Sequence, residues 1–210
     1  MSSEVATSAP RRYRKRRRAE LEERTRKQIT EAAVRLHGSI GPARTTVSAV
    51  AREAGVQRST VYRHFPTDVD LFGACSQHWL SLNPPPEPAA WSVIADPGER
   101  LRIALGELYR WYGWAEPMMV NVIRDAPLVP AMERPVQAFR ALLEGMQATL
   151  MGGRRERGRD RRRVAAAIAL ALEFTTWHSM TREAGLRNGE AITLMAATVA
   201  GARNFRQTSG

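Results

Sequence analysis

Gln57, Arg58, Ser59 and Thr60 stand in a row, and Tyr62, Arg63 and His64 follow directly after Val61. Apart from Val61, every residue of this run can donate or accept a hydrogen bond. An arginine fork matches the two acceptors on the major-groove edge of guanine, and short hydroxyls suit base edges or thymine methyls. Tyr62 and His64 are long enough to reach phosphates beside a groove. This is the chemistry of reading a polar, phosphate-rich surface. The same residues also suit a helix face turned to water, so the elements that carry them must decide.

Chemistry on a substrate has less to build on. His37, His64, His78 and His178 are scattered, and none forms an HExxH pair or a metal-ligand set with the single Cys75. There is no GxSxG elbow, no GxxxxGK phosphate loop and no paired-glycine dinucleotide loop. No catalytic site, metal or cofactor is expected. A helical enzyme using Glu173 or His178 as a base is the remote alternative.

The elements are helical throughout. Ile29, Ala32, Ala33 and Leu36 fall at i, i+3, i+4 and i+7, which places one apolar stripe on a helix from Ala19 to His37. Thr46 can cap a second helix, Val47 to Ala54, and Gly55 can take the left-handed turn. A third helix, Gln57 to His64, then carries the polar run, with Val56, Val61 and Phe65 turned to the core. A fourth is marked by Leu71, Phe72, Cys75, Trp79 and Leu82. Two short helices joined tightly at AGVQ make a helix-turn-helix, whose second helix lies in the major groove. The predicted DNA-contacting set is therefore Thr46, Gln57, Arg58, Ser59, Thr60, Tyr62, Arg63 and His64.

NPPPEP, residues 83–88, sets a boundary because three prolines cannot continue a helix. Beyond it, helices are expected at about 97–114, 117–124, 129–151, 160–184 and 190–205, with no strand pattern. Residues 1–18 are expected to form a disordered basic arm, 19–83 the helix-turn-helix domain, and 84–210 an effector-binding and dimerising domain.

The chain has 210 residues and a formal net charge of +11, which favours a polyanionic partner. RRYRKRRR, residues 11–18, holds seven basic residues in eight, whereas residues 19–83 are close to neutral. A second basic run, RRERGRDRRR, spans Arg154 to Arg163 and reads most simply as a solvated loop. No apolar run is long enough for a membrane span, and the basic N-terminus leads into AELEERTRK rather than an apolar signal core. A cytoplasmic, nucleoid-associated protein is expected.

RKQITEAAVRLHGSIG, TTVSAVAREAGV and STVYRHFPTDVDLF resemble the DNA-binding domain of TetR-family transcriptional regulators over Arg26 to Leu82. The resemblance implies an all-α homodimer that binds a double-stranded DNA operator, most often as a repressor released by a small molecule. Two positions depart from the family pattern. Asp68 stands where a phosphate-contacting lysine is common, and Gln57 replaces the usual small hydroxyl cap. The basic arm could compensate for the missing lysine from the minor groove or along the DNA backbone.

The C-terminal half is rich in tryptophan and methionine, which usually form a core. A subset lining an apolar pocket would be Trp111, Trp114, Phe139, Glu173 and Trp177. Glu173 sits in the apolar run VAAAIALALEF; as a buried carboxylate it needs an intrachain base, a dimer mate or a ligand's cation. The expected effector is an apolar or aromatic small molecule, with a cation favoured by that carboxylate. Ala165 with Ala169, and Ala197 with Gly201, give small-residue faces that suit a dimer bundle or packing within one subunit. A regulator of the same fold that senses no small molecule is the nearer alternative.

Overall fold

The computed structural model describes residues 9–202. Among them the elements are helical and no strand occurs. The first four helices are α1 (Ala9–Ser39), α2 (Val47–Glu53), α3 (Arg58–His64) and α4 (Asp68–Leu82). Five more follow: α5 (Pro97–Asp125), α6 (Glu133–Met151), α7 (Gly158–Leu172), α8 (Phe174–His178) and α9 (Asn188–Ala202). A turn of π-helix, Ser179–Glu183, continues α8.

The basic arm departs from expectation. It is helical from Ala9 onward, a continuation of α1, and residues 1–8 lie outside the described residues. Arginine and lysine are good helix formers. Glu20 and Glu22 reach back one turn to Arg16 and Arg18 at 2.9 and 3.1 Å, so the acids of the neutral segment prolong the helix into the basic one.

Other boundaries moved for identifiable reasons. The helices expected at 97–114 and 117–124 are one, α5, which keeps Pro117 inside it. Buried Ala115 and Met119 hold that stretch to the core from either side of the proline. The helix expected from 129 begins at Glu133, because Pro127 and Pro130 impose short 3-10 turns first. The long helix expected at 160–184 breaks at Glu173, whose backbone is extended. The break leaves carbonyls without helical partners. Two buried tyrosines of α5 serve them: Tyr109 donates to Ala171 O at 2.9 Å and Tyr112 to Leu172 O at 2.6 Å. The last helix is described to Ala202; the expected extension to Phe205 lies outside the described residues.

Two buried clusters result. Ile29, Ala32 and Ala33 of α1 pack with Val50, Ala51, Val61, Phe65, Leu71 and Cys75. The larger cluster surrounds α5, with Leu105, Leu108 and Tyr112 against Met146, Ile168, Trp177 and Val199. At the start of α5, buried Arg100 donates to the carbonyls of Ile94, Thr149 and Gly152 and ties that end to α6. At its other end, α5 meets α1 and the loop before α2.

Candidate functional site

The α2–α3 pair is built by local rules. Thr46 Oγ1 accepts from Ala49 N at 3.1 Å and starts α2. Gly55 turns the chain with φ 67°, and Val56 N bonds back to Ala51 O at 2.9 Å. Val61 and Phe65 then seat α3 in the core, and the Arg26 guanidinium covers the Phe65 ring at 4.2 Å. Arg26 also donates to His64 O at 2.7 Å, satisfying the end of α3.

This seating leaves Gln57, Arg58, Ser59, Tyr62 and Arg63 exposed on one short helix, with Thr60 half-buried and Thr46 exposed beside them. Gln57 makes no side-chain cap bond, so its amide stays available. Arg58 is not an isolated fork. Its Nη2 donates to Tyr62 Oη at 3.0 Å one turn on, and its guanidinium lies 5.4 Å from the Tyr62 ring. His64 is half-buried, and its Nε2 is shielded without a partner among the described residues. Burial, with Arg63 and Arg26 nearby, pushes its pKa below the ordinary value. Of the expected phosphate-reaching pair, Tyr62 is the one that points out.

A cavity of about 400 Å³ lies where α1 and α4 meet α5 and α6. Of the five predicted pocket residues, Trp111, Phe139 and Glu173 line it. Trp114 and Trp177 do not. Trp114 is 56 % exposed and stacks on the outer side of Trp79. Trp177 is core: it packs on Tyr112 and Phe174, its Nε1 donates to Asn188 at 3.0 Å, and Arg182 covers its ring. Glu173 is also corrected. It is exposed at the cavity rim, because the α7–α8 break turns it out of the apolar run. The reason for expecting a buried carboxylate, and with it a cation, falls away.

Sequence reading missed the wall supplied by the N-terminal helices. Val34 and His37 of α1, and Phe72 and Trp79 of α4, line the cavity. Phe72 and Trp79 belong to the apolar marks of the fourth helix, where nothing in the spacing distinguishes a wall from a core, and Val34 and His37 lie beside the Ile29–Leu36 stripe rather than on it. His37 is only 5 % exposed and lies flat on Phe72, with centroids 4.8 Å apart. Burial lowers its pKa to about 4, although Asp125 pulls the other way.

One clamp joins the two ends of the site. Asn121 Nδ2 donates to Gly38 O at 2.9 Å, and Ala43 N donates to Asp125 Oδ2 at 3.0 Å. Arg124 forks onto Asp125, and its hydrogen bond, helped by the Ala43 N–H, holds that carboxyl below the usual range. Gly41, at φ 93°, leaves room for the pair; a Cβ there would run into Arg124 and Asp125. The loop preceding α2 is thus gripped by the last turn of α5. Elsewhere, His178 sits in a surface group with Glu116, which takes both Arg182 nitrogens at 2.7 and 2.6 Å. No described helix is long and apolar enough to cross a membrane, and the described residues contain no cluster of three metal-ligating side chains.

A helix-turn-helix with an exposed polar second helix, set on an all-helical scaffold, defines the class: a DNA-binding regulator. Residues 29–75 match the family model of the bacterial regulatory proteins, tetR family. Residues 29–75 are thus a TetR-family domain, and most of the described chain has the fold of TetR-like regulators. A TetR-like transcriptional regulator from Rhodococcus sp. RHA1 is 18 % identical, with a TM-score of 0.62 over 87 % of this chain and 97 % of that one. A second transcriptional regulator from the same organism gives 16 % identity and 0.55 over 85 % and 96 %. A TetR transcription regulator from Haloarcula marismortui gives 17 % and 0.53 over 87 % and 97 %. A search of curated proteins found no sequence match.

Proposed function

We propose that the protein is a homodimeric transcriptional repressor that binds a double-stranded DNA operator and leaves it when a small apolar or aromatic molecule enters the cavity. Residues 19–83 act as the DNA-binding domain and residues 84–210 as the effector-binding, dimerising domain, working in the cytoplasm on the chromosome. The observation that carries the reading is the cavity's position. Its wall belongs to α1 and α4 on one side and α5 and α6 on the other, and the same α5 ends in the Asn121–Asp125 clamp on the loop before α2. An occupant that moves α5 relative to α1 therefore bears on the recognition helix. For induction, the occupant must bind the DNA-incompetent arrangement better than the competent one.

The dimer reading is supported by the outer face of α7 and α9. Ala166 and Leu170 of α7, and Leu194, Ala197 and Gly201 of α9, are exposed, while Ala191, Met195 and Val199 pack inward. Small residues let helices of two subunits approach closely in a four-helix arrangement. Isologous pairing would set two recognition helices roughly 34–36 Å apart for palindromic half-sites.

The test has two arms. Binding-site selection and genomic footprinting should return one palindromic site, and an apolar aromatic ligand that quenches tryptophan fluorescence should lower operator affinity at least about tenfold, or about 1.4 kcal/mol of coupling. Sedimentation should give a dimer that Leu170→Glu with Leu194→Glu converts to monomer. Random binding sites would end the regulator reading, and a wild-type monomer with and without DNA would end the dimer.

A further inference from the structure

The cavity wall is apolar over most of its area: Val34, Phe72, Met118, Val122 and Phe139 face it. Its charged residues, Arg140 and Glu173, are exposed at the rim. Among its polar lining residues, Ser76 is half-buried and Thr175 exposed, while His37 is buried. No described residue hydrogen-bonds its ring nitrogens, and stacking on Phe72, 4.8 Å between centroids with planes 4° apart, fixes the ring. Asp125, the nearest acid, is already taken up by Arg124 and the Ala43 N–H. His37 keeps a small exposed remainder of about 5 % and lines the cavity, so an apolar occupant alone would cover its ring without offering it a hydrogen bond.

We propose that the effector is an uncharged, flat, largely apolar molecule carrying one hydroxyl or carbonyl, and that His37 of α1 hydrogen-bonds this group. The inference rests on the cavity being the effector site and adds the ligand's class. A neutral imidazole has one donor and one acceptor nitrogen, so it serves either a hydroxyl or a carbonyl. The imidazole stays neutral at physiological pH because burial holds its pKa at about 4. A carboxylate or ammonium placed beside His37 would lose its hydration among apolar groups, because the charged lining residues, Arg140 and Glu173, are exposed at the rim. Because His37 belongs to α1, the hydrogen bond would fasten the ligand to the DNA-binding part of the chain, while Trp111 and Phe139 hold its apolar body.

The experiment compares phenanthrene, 9-phenanthrol, phenanthrene-9-carboxylate and 9-(aminomethyl)phenanthrene on the full chain, read by quenching of tryptophan fluorescence. Trp79 and Trp111 line the cavity and report occupancy. 9-Phenanthrol should bind about tenfold more tightly than phenanthrene, the size of one hydrogen bond. It should also bind more tightly than either charged probe. His37→Phe should keep phenanthrene affinity and erase the preference for the phenol. If that variant fails to fold, the ring ¹⁵N signals of His37 in the unaltered protein decide: they should shift with 9-phenanthrol and not with phenanthrene. Equal binding of phenanthrene and 9-phenanthrol, tighter binding of a charged probe, or a preference surviving in His37→Phe overturns the inference alone. Failure of all four probes to bind overturns the effector-cavity reading beneath it.

Discussion

Asp125, the last residue of α5, accepts the backbone N–H of Ala43 at 3.0 Å, eighty-two positions away in the chain. This bond and the Asn121–Gly38 bond fasten the C-terminal bundle to the loop that leads into the helix-turn-helix and to the end of α1. A regulator needs such a joint, because a ligand's binding energy acts on DNA affinity only through an element whose two arrangements differ at both sites.

Asp125→Ala should cost about 1–3 kcal/mol of stability, since it leaves the Ala43 N–H and Arg124 without their acceptor. It should also weaken the effect of ligand on DNA affinity more than it weakens DNA binding without ligand. Gly41→Ala should behave similarly, because a backbone at φ 93°, ψ 156° lies in a region essentially confined to glycine and costs about 1–3 kcal/mol for a residue with a Cβ, before any clash. Thermal unfolding and ligand-dependent operator titrations check both. Unchanged ligand response in a folded Asp125→Ala protein would remove the clamp from the switch.

Arg58→Ala should cost about 1–3 kcal/mol on the preferred site and much less on non-specific DNA. The Tyr62 hydroxyl, 3.0 Å from Arg58, makes a second prediction. Tyr62→Phe should loosen the fork and relax preference at the same base. The double variant should be non-additive by about 0.5–3 kcal/mol, as for residues in contact. Additive effects would mean that the two side chains read DNA independently.

The helical extension of α1 carries its basic residues exposed from Arg12 to Arg18. It leaves the domain beside the C-terminal end of α3, where Arg26 meets His64. Deleting residues 1–18 should flatten the salt dependence of DNA binding by about one slope unit for each phosphate that the arm neutralises. A straight helix tracks phosphates more readily than it threads a minor groove, so sequence preference should survive. An altered sequence logo in the truncated protein would show that the arm reads bases.

His37 should set a pH limit on the fold. Unfolded, its imidazole takes a proton below about 6.5; folded, it resists until about 4. Stability is therefore fully present above the higher value and declines as pH falls through the window, by about 3 kcal/mol across it. Urea unfolding from neutral pH to pH ~4.5 should show this decline in the unaltered protein and a smaller one in His37→Phe. Parallel curves for the two would show that His37 does not set the limit.

The sequence alone determined the local features. The stripe Ile29–Ala33, the Thr46 cap, Gly55 and the seated Val61 and Phe65 specify the helix-turn-helix, because caps, turns and 3.6-residue periodicity act within a few residues of each other. The same locality makes the polar face of α3 readable, although not the bond between Arg58 and Tyr62. The helical extension of α1 from Ala9 is not legible in composition, which does not register that Glu20 and Glu22 sit one turn from Arg16 and Arg18. Tertiary structure decided the rest. Trp111, Trp114 and Trp177 look alike in sequence, yet one lines the cavity, one faces water and one is core. Trp111 and Trp114 are placed by the meeting of α5 with α4, and Trp177 by the break at Glu173, whose flanking carbonyls accept from Tyr109 and Tyr112 of another helix about sixty residues away. The cavity itself needs α1 and α4 to close over α5 and α6. Its polar group, His37, and the Asp125–Ala43 clamp depend on residues far apart in the chain, and no periodicity records which distant helix a given face will meet.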